Sequence, residues 1–158
     1  MDPQVGAVYE VLEDLRGQLY RLLEGLEDVD VNRTYPGLQN TIGILLRHLA
    51  AAETYWVSGV AGGGSQERHR DAEFGREPLK KADLVAALRA AQEASERVLA
   101  RLDAQDLQTP VQAQRARGPV QTTKGFALLH AVQHLAYHLG QIRLLAALAR
   151  HARTSSPA

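Results

Sequence analysis

Apolar residues recur at spacings of three and four over most of the chain, the period of an amphipathic helix that buries one face. Val5, Val8, Leu12, Leu15, Leu19, Leu22, Leu23 and Leu26 mark a first helix. It closes at Gly25-Leu26-Glu27-Asp28 and gives way to a loop through Asn32 and Pro36-Gly37. Ile42, Leu45, Leu46, Leu49, Trp56 and Val60 mark a second helix, which Asn40 or Thr41 can cap. Residues 62–78 open with Gly62-Gly63-Gly64-Ser65, are rich in charge and read as a flexible loop. A third helix runs from about Lys81 to Asp103 on Leu84, Leu88, Ala91, Val98 and Leu102. Residues 104–121 contain Pro110, Gly118 and Pro119 and few large apolar groups, the pattern of a long connection. The fourth helix starts at Thr122 and reaches about His151. With β-branched residues scarce and Ala and Leu dominant, strands are not expected. Together these elements predict an all-α four-helix bundle, a single domain over residues 1–152 with a disordered tail at 153–158.

Composition narrows the chemistry. The 158 residues include 18 Lys+Arg, 18 Asp+Glu, six His and no Cys. A chain without net charge lacks the excess of cations that a nucleic-acid binder uses to neutralise phosphates. The absence of Cys excludes a disulfide framework, cysteine zinc fingers, cysteine-held iron–sulfur clusters and a thiol nucleophile. Met1-Asp2-Pro3-Gln4 begins neither a signal peptide nor a membrane anchor, and no stretch is apolar enough to span a bilayer. A cytoplasmic protein without a membrane partner is therefore expected.

Three of the histidines lie within nine residues of each other, on the fourth helix. There Leu128, Val132, Leu135, Leu139, Ile142 and Ala146 form the apolar arc, and His134 and His138 stand on its flank one turn apart. This i, i+4 spacing lets two imidazoles converge on one atom, as in helical metal motifs. His48 stands on the matching flank of the second helix. Three rings from two facing helices make a three-coordinate site with an open position, which suits a catalytic divalent metal. The competing reading is that each histidine is a hydrogen-bonded core residue. His130 continues the row toward the polar face and fits a metal-supporting, cavity-mouth or surface role; His69 and His151 read as solvated.

The same residues carry a family resemblance. Thr41-Ile42-Gly43-Ile44-Leu45-Leu46-Arg47-His48-Leu49, followed by Glu53, Tyr55 and Trp56, resembles the second helix of the DinB-like (DinB/YfiT-like) proteins. His134-Leu135-Ala136-Tyr137-His138-Leu139-Gly140-Gln141-Ile142 resembles their His-x-x-Tyr-His-x-Gly-Gln signature. The resemblance runs from the first helix to about Leu148. It implies a four-helix bundle that holds a divalent metal, zinc or nickel, on His48, His134 and His138. It also implies homodimers and, in some relatives, transferases or isomerases that work with bacillithiol, mycothiol or glutathione. Some relatives carry Glu where this chain has His134.

Three neutral imidazoles leave a metal its full charge, so a water or thiol in the fourth position would deprotonate near neutral pH. The leading expectation is a transferase that brings a low-molecular-weight thiol to a small electrophilic substrate. The alternatives are a metal-dependent hydrolase and a non-catalytic metal-binding bundle. Leu135 stands where the Glu of a His-Glu-x-x-His protease would be, leaving Glu53 as the nearest candidate base by helix, or else as a buried structural carboxylate. Tyr137 and Gln141 follow the signature and could equally pack or hydrogen-bond between helices, while Gly140 reads as a point of close helix approach. Gly62-Gly63-Gly64 lacks the ending of a phosphate loop, and Ser58, Ser65 and Ser95 sit in no nucleophile elbow. Arg115 and Arg117 fit either contact with an anionic cofactor or simple solvation.

Overall fold

The computed structural model describes residues 1–115 and 117–154. Helix α1 (Pro3–Glu24) starts where the Asp2 carboxylate accepts from the Gln4 and Val5 amides, with Pro3 in the first turn, where its missing N–H costs nothing. A short helix α2 (Asp28–Val31) follows. Helix α3 (Ile42–Glu53) begins at Thr41, whose hydroxyl accepts from the Ile44 amide, so Thr41 and not Asn40 is the cap. Without a break it becomes a π-helix over Thr54–Ala61, where the Gly62 amide reaches back five residues to the Val57 carbonyl at 2.8 Å. Gly59 is needed there, because a Cβ would lie 2.6 Å from the Ser65 carbonyl oxygen. A one-turn helix α4 (Arg70–Glu73), α5 (Lys81–Leu99), a 3₁₀ turn (Asp106–Gln108), strands β1 (Pro110–Arg115) and β2 (Gly118–Thr123), and α6 (Lys124–Thr154) complete the chain.

Four long helices form the bundle. α1 and α3 each pack against both α5 and α6, and the π-helix continues the α3 contacts with both. The expected apolar stripes supply the core: Leu12, Leu19, Leu46, Leu84, Leu128 and Ile142 are all buried in one continuous cluster. Among the described residues no helix is long and apolar enough to cross a membrane.

The stretch expected to be a plain connection contains an antiparallel hairpin, with Pro110 opposite Thr123 and Arg115 opposite Gly118. Its strands are short and bury fully only Ala113, so they leave little hydrophobic signal in the sequence. Gln114 pairs across the hairpin with Pro119, and its N–H and C=O are both bonded to the Tyr55 hydroxyl of the π-helix, at 2.7 and 2.9 Å. The pair is thus of the type that exchanges no ladder bonds, a position where proline is tolerated. The last helix starts two residues later than expected, with Thr123 accepting from the Phe126 amide. It also continues to Thr154, past the expected end, because Arg153 donates to the buried Asp30 carboxylate at 2.7 Å and to the Gly25 carbonyl. The rest of the expected tail, residues 155–158, lies outside the described residues. Gly140 is no point of close approach: a Cβ there would meet nothing within 4 Å.

Candidate metal centre

His48, from the middle of α3, and His134 and His138, one turn apart on α6, meet where the two helices face each other. The His48 and His134 Nε2 atoms are 2.9 Å apart, and ring centroids are separated by 4.8 Å (His48–His134), 5.0 Å (His48–His138) and 4.5 Å (His134–His138). One nitrogen from each ring lies within 4.8 Å of the others. Two nitrogens at about 2.0 Å from one tetrahedral ion are about 3.3 Å apart, so small ring rotations bring the set to a common centre. The three rings are therefore close enough to hold one divalent cation.

Outer contacts decide which nitrogen is free in two of the rings, His48 and His138. The His48 Nδ1 is 2.7 Å from the Glu73 carboxylate, an acceptor only, so Nδ1 carries the proton and Nε2 presents a lone pair toward the cluster. His138 is arranged alike: Nδ1–H donates to the Gln141 side-chain oxygen at 2.7 Å, and the Gln141 amide nitrogen donates to the Tyr137 hydroxyl at 3.3 Å. Tyr137 and Gln141 thus act within α6, on its own histidine.

Glu73 escaped the sequence reading because it lies in the charged segment taken for a flexible loop. It is 5 % exposed, and both of its carboxylate oxygens accept from Arg68, at 2.5 and 2.8 Å. Arg47 fastens the segment onto α3 by donating to the Glu73 and Gly75 carbonyls and pairing with Glu77. Burial by itself would raise the Glu73 carboxyl; the hydrogen bonds from His48 and Arg68, with the Arg68 charge, outweigh it and hold the group down at about 2.

Burial, and then the neighbouring His138 and His48 rings, push His134 down to about 3, and burial lowers His138 and His130 as well. In the metal-free protein the unfolded chain therefore takes up these protons first, so ∂ΔG/∂pH is positive between the folded and unfolded values. The histidine contribution is intact above about 6.5 and is lost as pH falls toward about 3. Thermal melts of metal-free protein should show the midpoint falling through that window; a midpoint flat from pH 7 to pH 4 would contradict it.

The remaining candidates divide cleanly. His130 stands at the mouth of the cluster, its ring 4.4 Å from Trp56, 5.8 Å from Phe126 and 6.2 Å from His134. His69 is exposed beside Glu67, and His151 is exposed on the last turns of α6, so neither joins the site. Glu53 turns away from the histidines: its Oε1 accepts from buried Arg16 and, at 2.7 Å, from the Ser95 hydroxyl. It is the buried structural carboxylate, not a base facing the cluster. A cavity of about 630 Å³ opens over His48 and His134, walled by Tyr55 and Trp56 and by the hairpin.

A helical bundle with three converging imidazoles and an open cavity above them fits the class of bundles that can hold a metal. The chain belongs to the DinB superfamily, whose family model matches residues 12–142. A crystal structure titled as the conserved protein of locus from Enterococcus faecalis is similar in fold, with a TM-score of 0.74 and 13 % identity over 96 % of this chain and 99 % of that one. No curated protein matches the chain.

Proposed function

We propose that His48, His134 and His138 are the ligands of a divalent metal, zinc or nickel, and that the protein is a metal-dependent transferase using a low-molecular-weight thiol. The observation that carries the metal reading is the pair of outer acceptors, Glu73 on His48 and Gln141 on His138, which turn two bare Nε2 atoms inward. A divalent cation there would supply the charge that acidifies a thiol or water at the open position. The chain's own groups supply the setting. Three neutral rings leave that charge uncancelled, and Tyr55 and Trp56 wall the cavity on one side. His130, lowered by burial and by the Arg115 charge, is neutral near pH 7 and available to take up a proton at the mouth.

Hydrolysis is the weaker reading, because the two carboxylates nearest the histidines by element are already engaged. Glu53 is bound by Arg16 and Ser95, and Glu73 by Arg68 and His48. A general base needs a carboxylate free to accept a proton near neutral pH. Bacillithiol, mycothiol and glutathione are the thiols to assay, with the reconstituted protein and a small electrophile, beside ester and amide hydrolysis. Conjugation that needs both metal and thiol supports the proposal; hydrolysis without any thiol turnover overturns it. The same reading carries a homodimer in the cytoplasm, for which Leu38, Leu144 and Leu148 offer an exposed apolar strip.

Glu73→Gln tests the support of His48 separately. The amide can no longer act as a charged acceptor for Nδ1–H, and zinc affinity should fall about 10–100-fold, the usual cost of losing such a partner. Competition titration against a zinc chelator reads this directly. Unchanged affinity would show that Glu73 is only a salt-bridge partner of Arg68.

A further inference from the structure

The chain as a whole has no net charge, yet the cavity above the histidines is strongly one-sided. Arg68, Arg70, Arg115 and Arg117 line it, and among its described lining residues there is no Asp or Glu. Arg68 is neutralised by Glu73. For Arg70, Arg115 and Arg117 no carboxylate lies within ion-pair distance among the described residues. Solvated surface arginines would turn outward, but two of these lie over ring faces. The Arg115 guanidinium carbon is 5.4 Å from the Trp56 ring centre and 5.2 Å from that of Phe126, and Arg70 lies 5.8 Å from Phe74. Such stacking engages the face of a guanidinium and leaves its N–H edge free, the edge that grips a carboxylate or phosphate in bidentate fashion.

The positions connect this cationic rim to the reacting end. Arg115 touches Trp56, Trp56 meets His130 at 4.4 Å, and His130 leads to His134 at 6.2 Å. Like charges gathered on one cavity repel each other unless something negative occupies it, and the field they make draws anions in. About 630 Å³ is room for a small organic molecule.

We propose that the ligand of this cavity is an oxyanion-bearing small molecule, a carboxylate or a phosphate ester. Its anionic group binds among Arg70, Arg115 and Arg117 while its other end reaches toward His48 and His134. This substrate class rests on the reading of the three histidines as the reacting end.

The chain's single tryptophan, Trp56, reports on the site. Benzoate, phenyl phosphate and the neutral benzamide are titrated into wild type, Arg115→Gln and Arg70→Gln, metal-free and zinc-loaded, by calorimetry and Trp56 fluorescence. Zinc content is measured on the same samples. In wild type at least one anion should bind about tenfold or more tighter than benzamide, and the preference should shrink as salt rises. Whichever anion binds tighter identifies the class. Each arginine variant should keep its helical signal and zinc content, lose about tenfold in anion affinity, and bind benzamide as before. Benzamide binding as tightly as both anions, or both variants binding anions like wild type, overturns the proposal. An arginine-dependent anion preference in protein that takes up no zinc would sustain this proposal and overturn the metal reading instead; full zinc occupancy without that preference would do the reverse.

Discussion

His138→Ala is expected to leave a folded bundle that has lost at least about a thousandfold in zinc affinity. The size follows from the contacts: losing a partner outside the ligands usually costs about 10–100-fold, and losing one of three donors costs more. His138 is only half-buried, so the deletion opens little core. His134→Ala should behave similarly. His48→Ala should lose metal to the same degree and some stability as well, because it also strips a partner from buried Glu73. His69→Ala and His151→Ala serve as controls with full metal content, since both side chains are exposed and away from the cluster. Metal analysis after reconstitution and gel filtration, paired with circular dichroism, separates lost ligation from lost fold. Equal zinc in wild type and in all three cluster variants would refute the assignment.

The second large effect concerns stability and should leave the metal alone. Glu53→Ala is expected to destabilise the protein by about 1–3 kcal/mol, because Arg16, 3 % exposed, keeps its charge in the core and loses one of the two carboxylates that compensate it, Glu13 remaining as its partner. For a chain of this size that is a fall in melting temperature of roughly 2–12 °C. Arg16→Met should cost less than the change at Glu53. An apolar side chain of similar length fills the site, and Glu53 keeps the Ser95 hydroxyl as a donor. Zinc affinity of the folded Glu53→Ala protein should match wild type. If stability were unchanged and metal binding or turnover collapsed, Glu53 would have to be returned to the chemistry.

The bundle and the three histidines were legible because both depend on helical period. A stripe of leucines defines the buried face, and a polar ring on its flank must point at the neighbouring helix. What escaped the sequence depends on partners far away along the chain. Glu73 is buried through His48 and Arg68, and Arg47 holds its segment down; no local pattern encodes that. The hairpin was hidden because it buries little of its own and its main chain is held from outside, by the Tyr55 hydroxyl of the π-helix and the Gln66 side chain. Missing the hairpin also obscured His130. On an isolated helix it turns toward solvent, whereas the folded chain brings Phe126 and the Trp56–Arg115 stack around it. The π-helix itself left no trace in the sequence, since Thr54–Ala61 has the composition of an ordinary buried helix.

The attachment of the hairpin bears on how such a protein diverges. The described residues of its tip, Arg115, Arg117 and Gly118, contribute nothing to the buried core, and Tyr55 grips the main chain of Gln114 without reference to any hairpin side chain. Substitutions and length changes at the tip can thus accumulate in a lineage without disturbing the helices that hold the three histidines. Under the proposed function, selectivity and chemistry would then be inherited on separate pieces of chain, and one bundle could acquire new ligands while its three histidines stay fixed.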